Sequence, residues 1–289
     1  VDTYDGYANL IYGLAGLALG DTISAIDGFS IASADISQRS AAYNSLASIY
    51  ICKGDFQRAY AYAEKSLQFN QLSNEASQLK ILTLRKMRAH EQANKEIMRL
   101  ETNDPLNHFA RFERYLSDPS DYNLQQIRKY ISNEFPCETY LEYALWYYKH
   151  NQVEDALCVL NCAPEDKPII LCWKGYLSHL LGRNKHASDE LKKALKISPN
   201  LVFPFRPETL KALDWAQSIS TNWILKYYSA LIYLNAGATA KSLALLESCG
   251  DTADFYPFYA VRSGLYVSDS EKSQRDVDKI IKLETNDWR

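Results

Sequence analysis

The chain has 289 residues with a formal net charge of −3 and a pI near 6.0, so it lacks the basic excess that binding to phosphates requires, and no nucleic acid is expected as a main partner. Its most apolar stretch, Leu10 to Leu19, is shorter than the ~20 residues that cross a bilayer and is interrupted by Gly13 and Gly16; no membrane span is expected, and the stretch reads as a buried helix. The length exceeds what one compact core usually serves, and with few runs of β-branched residues the composition favours a helical repeat array.

In chain order, apolar periodicity and caps predict helices over 4–19 and 22–33, 39–53 and 55–69, and 73–87 and 89–101. A less regular pair follows at 106–117 and 121–132, split by Ser117-Asp118-Pro119-Ser120-Asp121. Further helices are expected at 137–149, 152–162, 169–181 and 184–197. Ser198 to Pro207 is the longest non-helical stretch, and its three prolines mark it as a hinge or partner-facing loop. Helices then resume at 207–219, 221–235, 239–248, 254–266 and 272–284. Leu283-Glu284-Thr285-Asn286-Asp287 repeats Leu100-Glu101-Thr102-Asn103-Asp104, which gives the last helix a second-helix position.

The turns share one grammar. Gly20-Asp21 with Ala25 recurs 34 residues later as Gly54-Asp55 with Ala59, and a further 34 reaches Arg88 and Ala93. The same internal spacing returns at Asn151 and Ala156, Gly182 and Ala187, and Gly237 and Ser242. Each corner needs a residue that tolerates the left-handed conformation, and each hairpin needs small residues where its helices approach. Ala47-Tyr50, Ala144-Tyr147 and Ala230-Tyr233 supply a small contact and an aromatic filler before three of the corners.

On these motifs residues 6–107 resemble three tetratricopeptide repeats and 137–250 resemble diverged ones. A narrower resemblance rests on Ser40-Ala41-Ala42-Tyr43, Leu46-Ala47, Arg85-Lys86, Asp104-Pro105-Leu106-Asn107 and Phe203-Pro204-Phe205-Arg206-Pro207-Glu208. These look like the C-terminal helical part of large bacterial proteins in which an uncharacterised β-sandwich domain similar to galactose mutarotase precedes the repeats. The expected fold is therefore all-α, a right-handed α-α superhelix. It would comprise three hairpins over 1–107, an irregular connector over 108–136 and diverged hairpins over 137–289, continuous in one solenoid. The resemblance implies a docking scaffold whose first helices line a concave wall.

Counting wall positions from Ser40 gives Ala41, Asn44, Ser48, Ile51 and Cys52, and in the next unit Glu75, Gln78, Leu82, Arg85 and Lys86. Tyr148, Tyr176, His179 and Tyr227 fall on wall positions of later units, as a groove for a peptide or a sugar ring or as core. Arg206, held between Pro204 and Pro207, could meet a carboxylate or cap a helix. Where the tetratricopeptide domains that clamp a chaperone C-terminus carry Lys and Asn, this chain has Leu10 and Leu14, which puts that activity in doubt.

Catalytic and metal patterns are sparse. His90, His108, His150, His179 and His186 form no i,i+4 pair, His90 and His150 fall at solvent-facing turns, and His179 is the inward one. Cys158 and Cys162 lack a second ligand pair, Ser77 with Lys80 is a chance-level Ser-x2-Lys, and Glu138 with Glu142 suits a helix N-terminus. The six cysteines read as buried thiols, favouring a reducing compartment such as the cytoplasm. The first residue is Val rather than Met, so the native N-terminus is expected upstream. The reading is a non-enzymatic scaffold with no cofactor and no metal, for a protein or peptide partner or a neighbouring domain. The alternative is a carbohydrate-binding accessory module of a larger bacterial sugar-processing protein.

Overall fold

The computed structural model describes residues 3–133, 135–267 and 269–283. Within them the chain is all-α: α1 (Gly6–Leu19), α2 (Thr22–Ala32), α3 (Arg39–Cys52), α4 (Phe56–Phe69), α5 (Asn74–Lys86), α6 (His90–Asn103), α7 (His108–Ser117), α8 (Asp121–Tyr130), α9 (Pro136–Lys149) and α10 (Val153–Asn161). There follow α11 (Pro168–Leu180), α12 (Asn184–Ala194), α13 (Thr209–Ile219), α14 (Trp223–Asn235), α15 (Thr239–Glu247), α16 (Tyr256–Leu265) and α17 (Ser270–Leu283). The chain divides into two compact units, the first ending at Pro164 and the second beginning at Glu165. The repeated phrase after Leu283 lies outside the described residues.

All six predicted corners share one backbone geometry. Gly20, Gly54, Arg88, Asn151, Gly182 and Gly237 have φ of 77°, 75°, 61°, 58°, 73° and 74°. At each, the next residue's N–H reaches back to a carbonyl five residues earlier: Asp21 to Gly16 (2.8 Å), Asp55 to Tyr50, Ala89 to Leu84, Gln152 to Tyr147 and Arg183 to Ser178 (all 2.9 Å), and Ala238 to Tyr233 (2.8 Å). The bond consumes a carbonyl that a helix end leaves unpaired and turns the chain sharply. Asp21 and Asp55 then cap the second helix, accepting from the Ser24 and Arg58 N–H groups at 3.1 and 3.0 Å. Gly-Asp is thus a stop followed by a start. At the third corner Arg88 bears a Cβ in the left-handed region and Ala89 offers no cap.

Small residues set the hairpin separation. A Cβ on Gly28 would lie 2.7 Å from the Asn9 carbonyl and 2.8 Å from the Gly13 nitrogen, and one on Gly16 would lie 2.9 Å from the Ala25 nitrogen. The α1–α2 pair therefore packs backbone to backbone, and only Gly6, Gly13 and Gly16 of α1 are buried. This corrects the expectation of a buried helix over Leu10 to Leu19: the glycines face inward, and Ile11, Tyr12, Leu14, Leu17 and Leu19 face solvent.

In the first unit α3 contacts α5 and α5 contacts α7, whereas α2, α4 and α6 make no comparable contact with one another, which puts the first helices on the inner side. The stretch 108–136 supplies a helical pair of its own, α7 with α8. Phe109 meets Trp146 at 4.8 Å and Phe112 meets Tyr140 at 5.7 Å between centroids, fixing α9 against α7. In the second unit α11 pairs with α12, α14 with α15 and α16 with α17, and α13 packs on α11, where Trp215 covers Gly175.

Converting the third corner to the sequence of the first two tests its energetics. Arg88→Gly with Ala89→Asp is expected to raise unfolding stability by about 1–2 kcal/mol, relieving a left-handed Cβ and adding a cap. Urea unfolding with an unchanged slope and no gain in midpoint would count against it.

Candidate functional site

The inner wall of the first unit divides into an open part and a closed part. In the open part Asn44 is buried, and its amide nitrogen donates to Glu75 Oε2 at 3.1 Å and to Ser73 Oγ at 3.4 Å, tying α3 to the start of α5. Its Oδ1 is buried with no hydrogen-bond partner. Ser48 lies one turn further along α3 and Gln78 about one turn further along α5, both partly exposed and without a hydrogen-bond partner among the described residues.

The closed part is a charge cluster in which Arg85 is the hub. Its Nε and Nη2 donate to Glu113 of α7 at 2.6 and 3.0 Å, and its Nη1 and Nη2 to Asp155 of α10 at 3.3 and 2.8 Å. Lys86 reaches Asp155 at 2.7 Å, and the Tyr147 hydroxyl of α9 donates to Glu113 at 2.7 Å. The Glu113 side chain is 0% exposed. Burial alone would raise the Asp155 carboxyl, but Arg85 and Lys86 outweigh it and hold the group below the usual carboxylate range. The two cations and two carboxylates balance, leaving the hub no free charge for a ligand.

Beside this hub, Cys52 Sγ lies 3.5 Å from the Lys149 carbonyl, and the Asn151 amide donates to the Cys52 carbonyl at 3.3 Å, so the α3 corner meets the α9 corner. His150, expected in solvent, is instead 4% exposed. Its ring packs 4.2 Å from Trp146, and Nδ1 donates to the Trp146 carbonyl at 2.7 Å. Burial, opposed by that bond, pushes its pKa down to about 4.

The other sequence candidates scatter. Ile51 and Leu82 are buried core residues. Tyr148 is half-buried in the first unit, outside the hub. In the second unit Tyr227 is 2% exposed among Trp223, Phe255 and Phe258, a core position and not a wall. Tyr176 and His179 flank Trp215, at 6.3 and 5.7 Å, and His179 faces solvent with Nδ1 3.1 Å from Asn184 Oδ1, correcting its inward placement. Arg206 stacks over its neighbour Phe205 at 4.9 Å. Lys80 pairs with Glu64 and with Glu96 at 2.7 Å. Burial would lower its pKa, but the hydrogen bonds that its ammonium donates to both carboxylates raise it, so Lys80 stays charged and is no base for Ser77.

The hub partners Glu113, Tyr147 and Asp155 escaped sequence reading as a set. The available signal was a glutamate in the apolar run Phe109-Ala110-Arg111-Phe112-Glu113, a residue rarely buried unless paired. Among the described residues no group of three or more His, Cys, Asp or Glu could hold a metal, and no helix is long and apolar enough to cross a membrane.

No family model matches this sequence, and no curated protein does. Among solved structures the chain is similar to a tetratricopeptide repeat protein from Parabacteroides merdae ATCC 43184, at 14% identity over 90% of this chain and 98% of that one, with a TM-score of 0.41. It is similar also to the TPR domain of P58(IPK), at 15% identity over 97% of this chain and 84% of that one, with a TM-score of 0.26. The description of the chain as paired helical hairpins rests on the six corners and the small-residue contacts themselves.

Arg85→Met is expected to cost about 3–5 kcal/mol of stability, because Glu113 is left buried without its counter-charge. Adding Glu113→Gln and Asp155→Asn should return more than half of the loss; a denaturation midpoint that stays low in the triple variant contradicts this account. The folded His150 takes a proton near pH 4 and the unfolded one near 6.5. Its contribution is therefore complete above about pH 6.5 and is lost as pH falls toward 4, amounting to about 3 kcal/mol. Unfolding measured from pH 7 to 4 should show this slope, flattened in His150→Gln.

Proposed function

We propose that this chain is a non-catalytic docking scaffold that holds an extended segment of a protein partner, or of a neighbouring domain of the same polypeptide, against the α3–α5 wall. The observation that carries the reading is the spare hydrogen-bonding capacity of Asn44 Oδ1, Ser48 and Gln78 along one seam. A buried acceptor left unpaired costs about 1–3 kcal/mol, and because Asn44 is 6% exposed, a peptide N–H removes that cost when the side chain turns toward the wall. Asn44 and Ser48, one turn apart on α3, with Gln78 on the neighbouring α5, offer donors and acceptors that an extended backbone can use. The paired states of Arg85 and Lys80 further support a binding role over a catalytic one.

The neighbouring domain that the bacterial resemblance implies, a β-sandwich, is one source of such a segment. The carbohydrate reading draws on the rings of Tyr176, His179 and Trp215, where His179 already stacks on the Trp215 face at 26°. Because a sugar would need a free aromatic face, the peptide reading is preferred.

A photo-crosslinking residue placed at Gln78 should label a protein partner in cells, and one placed at Glu91, exposed on the second helix α6, should not. Asn44→Ala should lower the Gln78 yield severalfold while changing stability by less than about 1 kcal/mol, since one lost amide contact is offset by removal of an unpaired oxygen. Equal labelling from both positions, or a yield indifferent to Asn44, defeats the proposal.

A further inference from the structure

The charges of α5 are balanced at one end of the helix and not at the other. Of its four charged residues, Lys80 holds Glu64 and Glu96, Arg85 holds Glu113 and Asp155, and Lys86 holds Asp155. Glu75, the fourth, is exposed, and its one hydrogen-bond partner among the described residues is the Asn44 amide, 3.1 Å from Oε2. One residue back, Asn74 donates to Asp104 Oδ2 at 3.1 Å, and Asp104 likewise has no cation paired with it among the described residues. Arg99 and Arg111, on the neighbouring α6 and α7, direct their guanidinium groups to the Gln71, Asn107 and Pro105 carbonyls. The start of α5 therefore carries negative charge that the fold does not compensate.

What stands vacant there is acceptor capacity. The Asn44 amide nitrogen is committed to Glu75 and Ser73, so the spare atom of this buried side chain is Oδ1. Reversing the amide would set Oδ1 against the Glu75 carboxylate, so that carboxylate fixes its orientation. Ser73 Oγ already accepts from the Ala76 N–H as the cap of α5. A carboxylate beside an amide oxygen calls for a group with several N–H donors and a positive charge, a guanidinium or an ammonium. An anion would be repelled, and an apolar side chain would leave both acceptors unpaired. The helix dipole accounts for a carboxylate in the first turn of α5; the buried amide of α3 turned toward it is a second and separate feature.

We infer that the α3–α5 wall selects segments that present a cationic side chain, arginine or lysine, to Glu75, with Asn44 holding the carboxylate at the end of the seam. The inference rests on the docking reading and adds its specificity. Gln78, three residues after Glu75, and Ser48 on α3 serve the main chain of the segment, and Glu75 reads its charge.

Random-peptide display against the purified full chain, followed by titration of an enriched peptide, tests it. Enriched peptides should share one arginine or lysine, and replacing that residue by glutamine should weaken binding about two- to fivefold, the range of an exposed ion pair, with a smaller loss in high salt. On Glu75→Gln, which keeps an oxygen for the Asn44 amide and so leaves α3 tied to α5, the same replacement should change binding by less than about 1.5-fold. Peptides that lose affinity on Gln78→Ala but share no cation, or whose cation matters equally on Glu75→Gln, overturn the inference and leave the docking reading standing. Peptides indifferent to Gln78→Ala, or no enrichment at all, defeat the docking reading and the inference with it.

Discussion

Six hairpins of this molecule depend on a corner that ends one helix in the left-handed conformation and starts the next within two residues. At those corners the turn lets the paired helices run back along each other, since neither could bury its apolar side alone. Glycine serves at four of the six corners because no Cβ resists φ near 75°, while Arg88 and Asn151 hold the same geometry under strain. The corner fixes direction; small residues then fix distance. Where glycines meet, as between α1 and α2, the helices touch through backbone, and the large side chains are released for other contacts.

The hub around Arg85 sets the limit of the inner wall. It joins residues 70 positions apart, Arg85 and Asp155, and brings α5, α7, α9 and α10 to one point. Buried ion clusters contribute little net stability compared with apolar packing of similar volume, because desolvation offsets attraction. Their mispairing is costly, however, and in a stack of similar helices that cost holds each first helix to one neighbour. A wall closed at one end by a neutral charge cluster and open at the other toward Asn44, Ser48 and Gln78 leaves the polar seam as the part with chemistry to offer.

The helices and the corners were legible from sequence because each follows from local spacing: Gly20, Gly54 and Arg88 stand 34 apart, and the chain bends there. What periodicity cannot report is which distant element covers a given face. His150 sits at a corner, a position that reads as exposed, yet it is buried beside Trp146. Tyr227 has the spacing of a wall residue but lies under Phe255 and Phe258, and Arg85 has the spacing of a ligand contact but is consumed by Glu113 and Asp155. In each case a neighbour distant in sequence decided the outcome. The Leu10–Leu19 stretch shows the converse, since its apolarity was visible and its glycine-inward orientation was not.

The account of function comes down to whether polar groups that the fold leaves unsatisfied are the groups a partner satisfies. Side-chain amide resonances of Asn44 and Gln78 in the isotope-labelled chain, followed as a purified partner is added, read this directly. The account predicts that both shift together at the same partner concentration while the Asn123 amide, engaged with Asp118, stays still. Movement of Asn123 with Asn44 and Gln78 unmoved would contradict it.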